Sequence, residues 1–177
     1  GVLWYLRESQ ILYEPLQLKR PFQIVLGNTG IIANTHELIA GVARRKAADP
    51  ARYDLMIQQA RAIAVAARDS LEYGHLRTVG KLMDQNHTLL QSIEVSCPEL
   101  DAMVEIARGA GALGAKSTGG GGGGCMLALT PSAELQERVA LALESAGFEV
   151  LRTWVGEVTV QQRDDSRSYN KLSGDER

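Results

Sequence analysis

ALGAKSTGGGGGGCMLAL, residues 112–129, is the stretch whose reading decides the fold. Residues 112–118 and 125–129 are short, apolar arms of strand character, and the glycines between them continue neither strand nor helix, so the segment predicts strand, glycine loop, strand. Ordering six adjacent glycines, Gly119, Gly120, Gly121, Gly122, Gly123 and Gly124, is costly, because each gives up more backbone freedom than any other residue. Something must need that bare backbone. One use is a cradle of N–H groups for an anion, with Lys116 adding charge and Ser117 and Thr118 adding hydroxyls. The other is mechanical, a turn against which a neighbouring segment lies closely. A Walker A loop is excluded, since its lysine follows the glycines and a helix comes next, whereas Lys116 precedes them. A dinucleotide fingerprint is excluded as well, because these glycines lead into a strand.

Downstream, Thr130 and Pro131 are expected to cap a helix with Leu135, Val139, Leu143 and Ala146 inward, ended by Gly147. Residues 148–160 predict a last strand, broken at Gly156, and the polar 161–177 a mobile tail. Upstream, Ser96, Pro98 and Glu99 open a helix with Leu100, Met103, Val104 and Ala107 inward. A longer helix, residues 76–93, carries Val79, Met83, Asn86, Leu90 and Ile93 on one stripe, which puts an amide where leucine is expected. Asn86 is therefore assigned to tying helices together, with His87 as a second structural polar residue. A helix from near Arg52 carries Leu55, Met56, Ile63, Ala66, Ala67 and Leu71. Another opens on a capping box at Asn34 and Glu37, with Leu38, Ile39, Val42 and Ala43 on one face. Residues 22–26 read as a buried strand ended by Gly27, and residues 1–15 as a hairpin.

Several helices and few strands, without regular alternation, predict an α+β domain: an antiparallel sheet covered by helices on one side. The 177 residues carry 19 Lys and Arg against 21 Asp and Glu, a net charge of -2, which argues against a nucleic-acid partner or an anionic membrane surface. No apolar run is long enough for a membrane span. Cys97 and Cys125 form no CxxC pair, so neither a disulfide framework nor a cysteine zinc site is expected, and a reducing, cytoplasmic compartment fits. Asp84 and His87 share a helix, but His36 and His75 add no metal-ligand spacing to them, so no metal site is assigned. Cys125 reads as a small packed residue. The chain begins at Gly1, directly in strand-like sequence, and a segment upstream is expected.

Residues 114–129 strongly resemble the third motif of the small-molecule kinases that include galactokinase, homoserine kinase, mevalonate kinase and phosphomevalonate kinase. GNTG at 27–30 followed by NTHELIAGV at 34–42, and MDQNHTLL at 83–90, are similar to segments of the mevalonate kinases in the same order. The resemblance implies the C-terminal domain of that fold, ferredoxin-like, over residues 21–160, with 1–20 as residual strands of an N-terminal domain and 161–177 as the tail. It implies an ATP- and Mg²⁺-dependent kinase acting on mevalonate or a related small acid. Its phosphate loop and catalytic aspartate lie upstream of Gly1, so this chain alone is expected to be incomplete and to hold no catalytic residue. It assigns Asn34 and Thr35 to substrate, and Gly114, Lys116, Ser117, Thr118 and the six glycines to supporting the phosphate loop. Partners are then the N-terminal kinase domain, the small acid and, as an open alternative, a second copy of the chain in a homodimer. Animal members of the family often have a basic residue at Ala33, leaving Arg20 or Lys19 as substitutes for binding a carboxylate. Phosphomevalonate as substrate, or a ligand-binding module without catalysis, are the alternatives.

Overall fold

The computed structural model describes residues 1–7 and 11–156; the strand end at 157–160 and the tail at 161–177 lie outside the described residues. Strands β1 (Leu3–Arg7) and β2 (Ile11–Pro15) pair antiparallel as the expected hairpin, with Tyr5 opposite Tyr13 and their rings 5.3 Å apart. The hairpin is a sheet of its own, and Leu3, Tyr5, Leu12 and Tyr13 are each at least half exposed. Arg68 reaches it from a helix, with its guanidinium 5.0 Å from the Trp4 ring.

The main sheet has four antiparallel strands in the order β4 (Ala115–Ser117), β5 (Cys125–Leu129), β3 (Phe22–Asn28) and β6 (Glu149–Val155). Between β3 and β4 run α1 (Thr35–Ala48), α2 (Pro50–Glu72), α3 (Leu76–Ser92) and α4 (Pro98–Gly109); α5 (Ala133–Ser145) joins β5 to β6. Strand, helices, strand, strand, helix, strand, with the first strand central, is the ferredoxin-like split βαβ order with an enlarged first crossover.

Strand alternation divides the core in two. Val25, Met126, Ala128 and Ala115 point to one face, where Leu100, Met103, Val104 and Ala107 of α4 and Val139, Ala140 and Leu143 of α5 bury them completely. Ile24 and Leu129 point to the other face and meet Leu76 and Val79 of α3, flanked by Leu71 and Met83, so helices cover both faces of the sheet instead of the one side expected. The inward residues of α4 match the sequence reading.

Other expectations need correction. The cap of α5 is Ser132, whose hydroxyl accepts from Leu135 N; Thr130 is instead fully buried at the end of the sheet, and Ala146 is exposed just past the helix. Helix α2 begins at Pro50, capped by Asp49, because proline suits the first turn. Ser96 does not cap α4; its hydroxyl donates to Asp101 Oδ1. In α1 the packed side is Leu38, Gly41 and Val42, while Ile39 is 65% exposed. The buried residues of α3 are Leu76, Val79, Gly80 and His87, so the inward stripe drifts away from Asn86. Asn86 is half-buried with no side-chain hydrogen bond among the described residues. Strand β4 is shorter than the seven residues expected, and β3 runs on through Gly27 to Asn28.

Helix α3 approaches the sheet through two glycines. A Cβ on Gly114 would run into the Gly80 backbone, and one on Gly80 into Leu113 O. With no flexible side chain there to yield, Gly114→Ala should lower the stability of the folded protein by about 3 kcal/mol, read as a fall in the urea unfolding midpoint. Gly109→Ala, at a position open to solvent, is the matched control and should leave the midpoint nearly unchanged.

Candidate functional site

The glycine loop is built by packing on two connectors. Gly122 N–H donates to Val95 O in the α3–α4 connector, and Gly124 N–H donates to Ile31 O in the β3–α1 connector. Thr29 closes the other end, since its N–H and its hydroxyl both donate to Gly124 O, at 2.8 Å and 3.0 Å. The backbone takes positive φ at Gly119, Gly121, Gly122, Gly123 and Gly124, a conformation open to glycine and costly for other residues. Space is as restrictive as conformation. A Cβ on Gly121 would strike Val95 O, one on Gly122 would meet Leu38 Cδ1 at 2.8 Å, and one on Gly123 would meet Ile31 O at 2.6 Å. Much of the run is therefore mechanical, the second of the two uses the sequence left open.

Gly119 and Gly120 differ from the rest. Both are exposed, and neither N–H has a hydrogen-bond partner among the described residues. A Cβ on Gly120 would lie 2.9 Å from Thr35 Oγ1, so the tip of the loop abuts the first residue of α1. Asn34 caps that helix, its Oδ1 accepting from Glu37 N at 3.3 Å, and both Asn34 and Thr35 are exposed. The exposed tip of the loop, a threonine hydroxyl and a helix N-terminus thus adjoin at the surface, a combination suited to anionic oxygen. Beside it lies a cavity of about 290 Å³ lined by Ala33, Asn34, Glu37, Leu38, Arg44 and Gly122, among others. Arg44 and Arg45 are its basic groups. Lys19 and Arg20 line a different cavity, at the base of the hairpin with Pro15 and Gly156.

The strand leading into the loop is held from outside the sheet. Strand β4 is an edge strand, and its N–H groups at Ala115 and Ser117 point away from β5. Asp84 Oδ1 of α3 accepts from Ala115 N at 2.9 Å, and His87 Nδ1, one helical turn on, accepts from Ser117 N at 3.3 Å. Arg108 of α4 completes the bracket, donating to Ala115 O at 3.2 Å and to Asp84 Oδ1 at 2.8 Å. His87 is 1% exposed, and its Nε2 lies 3.1 Å from Asp101 Oδ1, set off the line of a hydrogen bond. Burial pushes its imidazole below the ordinary value of 6.5, against the pull of Asp101.

Lys116 points to the opposite face, level with Leu127, and its Nζ donates to Ser117 O at 2.7 Å. Burial lowers its ammonium from the ordinary lysine value, and no ion pair to it occurs among the described residues. Ser117 is buried, while Thr118 N–H bonds Cys125 O. Gly114 lies under α3 and away from the open surface. Cys97 and Cys125 are free thiols, both partly exposed. The structure thus brings Asn34, Thr35 and the tip of the glycine loop together, and puts Gly114, Lys116 and His87 behind them as supports.

Sequence reasoning missed the bracket of Asp84, Arg108, Asp101 and Ser96. A signal was present, because an edge strand of three residues leaves N–H groups that something must accept, and Asp84 and His87 stand three apart on the adjacent helix. Among the described residues no group of three or more His, Cys, Asp or Glu side chains is placed to hold a metal ion, and no helix is long and apolar enough to cross a membrane.

Residues 63–149 match the family described as GHMP kinases C terminal. The mevalonate kinase of Thermococcus gammatolerans is 41% identical over 140 residues, which cover 76% of this chain and 41% of that protein. That of Pyrococcus horikoshii is 39% identical over 154 residues, 83% of this chain and 44% of the relative. Among solved structures, L. major mevalonate kinase in complex with R-mevalonate superposes with a TM-score of 0.83 at 30% identity, over 86% of this chain and 48% of that one. The chain spans less than half the length of these relatives.

If the bracket holds β4, its acidic member matters most. Asp84→Ala leaves the Ala115 N–H and the Arg108 guanidinium without their shared acceptor and should cost about 2 kcal/mol, after allowance for the partial exposure of both charged groups. Asp84→Asn keeps an acceptor for the N–H and should cost about half as much. Urea unfolding of the two variants checks the order.

Proposed function

We propose that the chain belongs, through residues 63–149, to the C-terminal domain of the GHMP kinases, and that the complete protein transfers the terminal phosphoryl group of ATP to the hydroxyl of mevalonate. The observation that carries this reading is the contact between the tip of the glycine loop and Thr35 at the start of α1, which puts donors from two connections on one open surface. Relatives named mevalonate kinase at 41% and 39% identity support the choice of substrate over phosphomevalonate.

In this reading residues 1–20 complete an N-terminal lobe, residues 21–160 form the C-terminal lobe, and the cleft between the lobes is the active site. The exposed apolar side chains of the hairpin, Leu3, Tyr5, Leu12 and Tyr13, fit a ribbon that packs into another lobe, because a two-stranded hairpin is marginal by itself. The catalytic aspartate and the phosphate loop come from the upstream lobe.

Phosphoryl transfer asks mainly for positioning and for stabilisation of charge on the phosphoryl oxygens. The exposed N–H groups of Gly119 and Gly120 and the α1 terminus suit that charge. The hydroxyl of Thr35 orients the substrate, and loop packing on Val95 and Ile31 keeps these groups from shifting as charge develops. Mg²⁺ would supply neutralisation of the phosphate charge when bound, and in this reading its protein ligands belong to the upstream lobe.

Expressed with its upstream lobe, the protein should phosphorylate mevalonate in an ATP-dependent assay. Thr35→Val should lower kcat/KM about ten- to hundredfold, the loss of a hydrogen bond to a charged group, and Thr35→Ser should retain most activity. No turnover of mevalonate, phosphomevalonate or homoserine by a folded two-lobe protein would overturn the kinase reading; turnover of phosphomevalonate alone would move the substrate.

A further inference from the structure

We propose that His87 is a positioning residue for the glycine loop, joining the strand that enters the loop to the connector on which the loop rests. Two contacts define the role. On one side the Ser117 N–H donates to Nδ1 at 3.3 Å, two residues before Gly119. On the other, Nε2 faces Asp101 Oδ1 at 3.1 Å, and the same carboxylate oxygen accepts from the Ser96 hydroxyl. Ser96 adjoins Val95, whose carbonyl accepts from Gly122 N–H at 2.8 Å. The imidazole thus stands between the entrance of the loop and the point where its middle is fastened.

The contacts also set its protonation. An N–H donor aimed at Nδ1 requires that nitrogen to be bare, which puts the hydrogen of the neutral ring on Nε2, towards Asp101. A second proton can enter only at Nδ1, and there it displaces the Ser117 bond. The groups facing the ring are Asp84 on its own helix, Asp101 and Arg108 on α4, and Lys116 on β4. Among them Asp101 favours the charged ring, while Arg108 and Lys116 oppose it together with burial. Because burial holds the folded value below 6.5, the bond to Ser117 is fully formed in neutral solution and is lost as pH falls below that range. Only the catalytic meaning of the loop's position rests on the kinase reading; the attachment itself does not.

Amide hydrogen exchange of the full-length protein tests the attachment without calling on catalysis, so failure to turn over mevalonate leaves this measurement standing. At about pH 7.5, His87→Leu should speed exchange of residues 117–124 about tenfold relative to α4 and α5, the effect of leaving one buried N–H unpaired. His87→Asn, whose Oδ1 can accept the Ser117 N–H and does not titrate, should exchange like the parent. On acidification through the His87 titration, followed by NMR and with intrinsic rates corrected, the loop of the parent should open further and that of His87→Asn should not. Loop exchange unchanged in His87→Leu, an equal rise across the loop and both helices, or acid-induced opening retained in His87→Asn would each overturn the proposal. If His87→Leu does not fold, the parent alone decides: opening of the loop must follow the His87 titration seen by NMR, and a loop indifferent to that titration refutes the role.

Discussion

An edge strand with no strand on its outer side is the constraint on which the rest of this structure depends. Strand β4 is three residues long and pairs only with β5, so the donors on its outer side must be met by something other than a ladder. Asp84 and His87, one helical turn apart on α3, accept from alternate residues of the strand, and Arg108 of α4 takes the carbonyl between them. Helix side chains stand in for a fifth strand. This fixes α3 against the sheet at a separation that tolerates only glycine at positions 80 and 114, and it delivers the chain into the loop with a defined direction.

The glycine run then proves to be two things in one. From Gly121 to Gly124 the absence of side chains serves close packing and left-handed backbone, with two N–H groups spent on Val95 and Ile31. At Gly119 and Gly120 the N–H groups have no partner among the described residues, and Gly120 abuts Thr35. A uniform stretch of sequence is thus divided by its surroundings into an anchored part and a presenting part, and the rigidity of the first gives the second a fixed geometry.

Much of this was legible in the residues. The inward face of α4, that of α5 apart from Ala146, the cap of α1 at Asn34, the hairpin and the strand, loop, strand order all follow from periodicity and local capping chemistry, which act over a few positions. What could not be read depends on neighbours distant in sequence. The stripe of α3 was placed through Asn86 because counting along a helix says which residues share a face, but not which face meets the sheet; the buried polar residue is His87. The cap of α5 moved from Thr130 to Ser132 because the sheet carries the chain further before it turns, burying Thr130 completely. The basic groups beside Ala33 turned out to be Arg44 and Arg45, a few residues along α1, rather than the nearby-numbered Lys19 and Arg20. Both Lys19 and Arg20 precede β3, and the strand carries the chain away from them before Ala33.

The strand order has a consequence for how the chain comes to be made. Strand β3 is central, yet both of its partners, β5 and β6, emerge only after four helices have been synthesised. Until then Phe22, Ile24, Val25 and Leu26 have nothing to pair with, and the sheet cannot close. The expected sequence of events on the ribosome is early docking of α2 with α3, followed by late, cooperative zipping of the sheet as the last strands leave the exit tunnel. An apolar segment waiting that long is a natural client for a chaperone, so the vulnerable moment in the life of this protein falls during its birth.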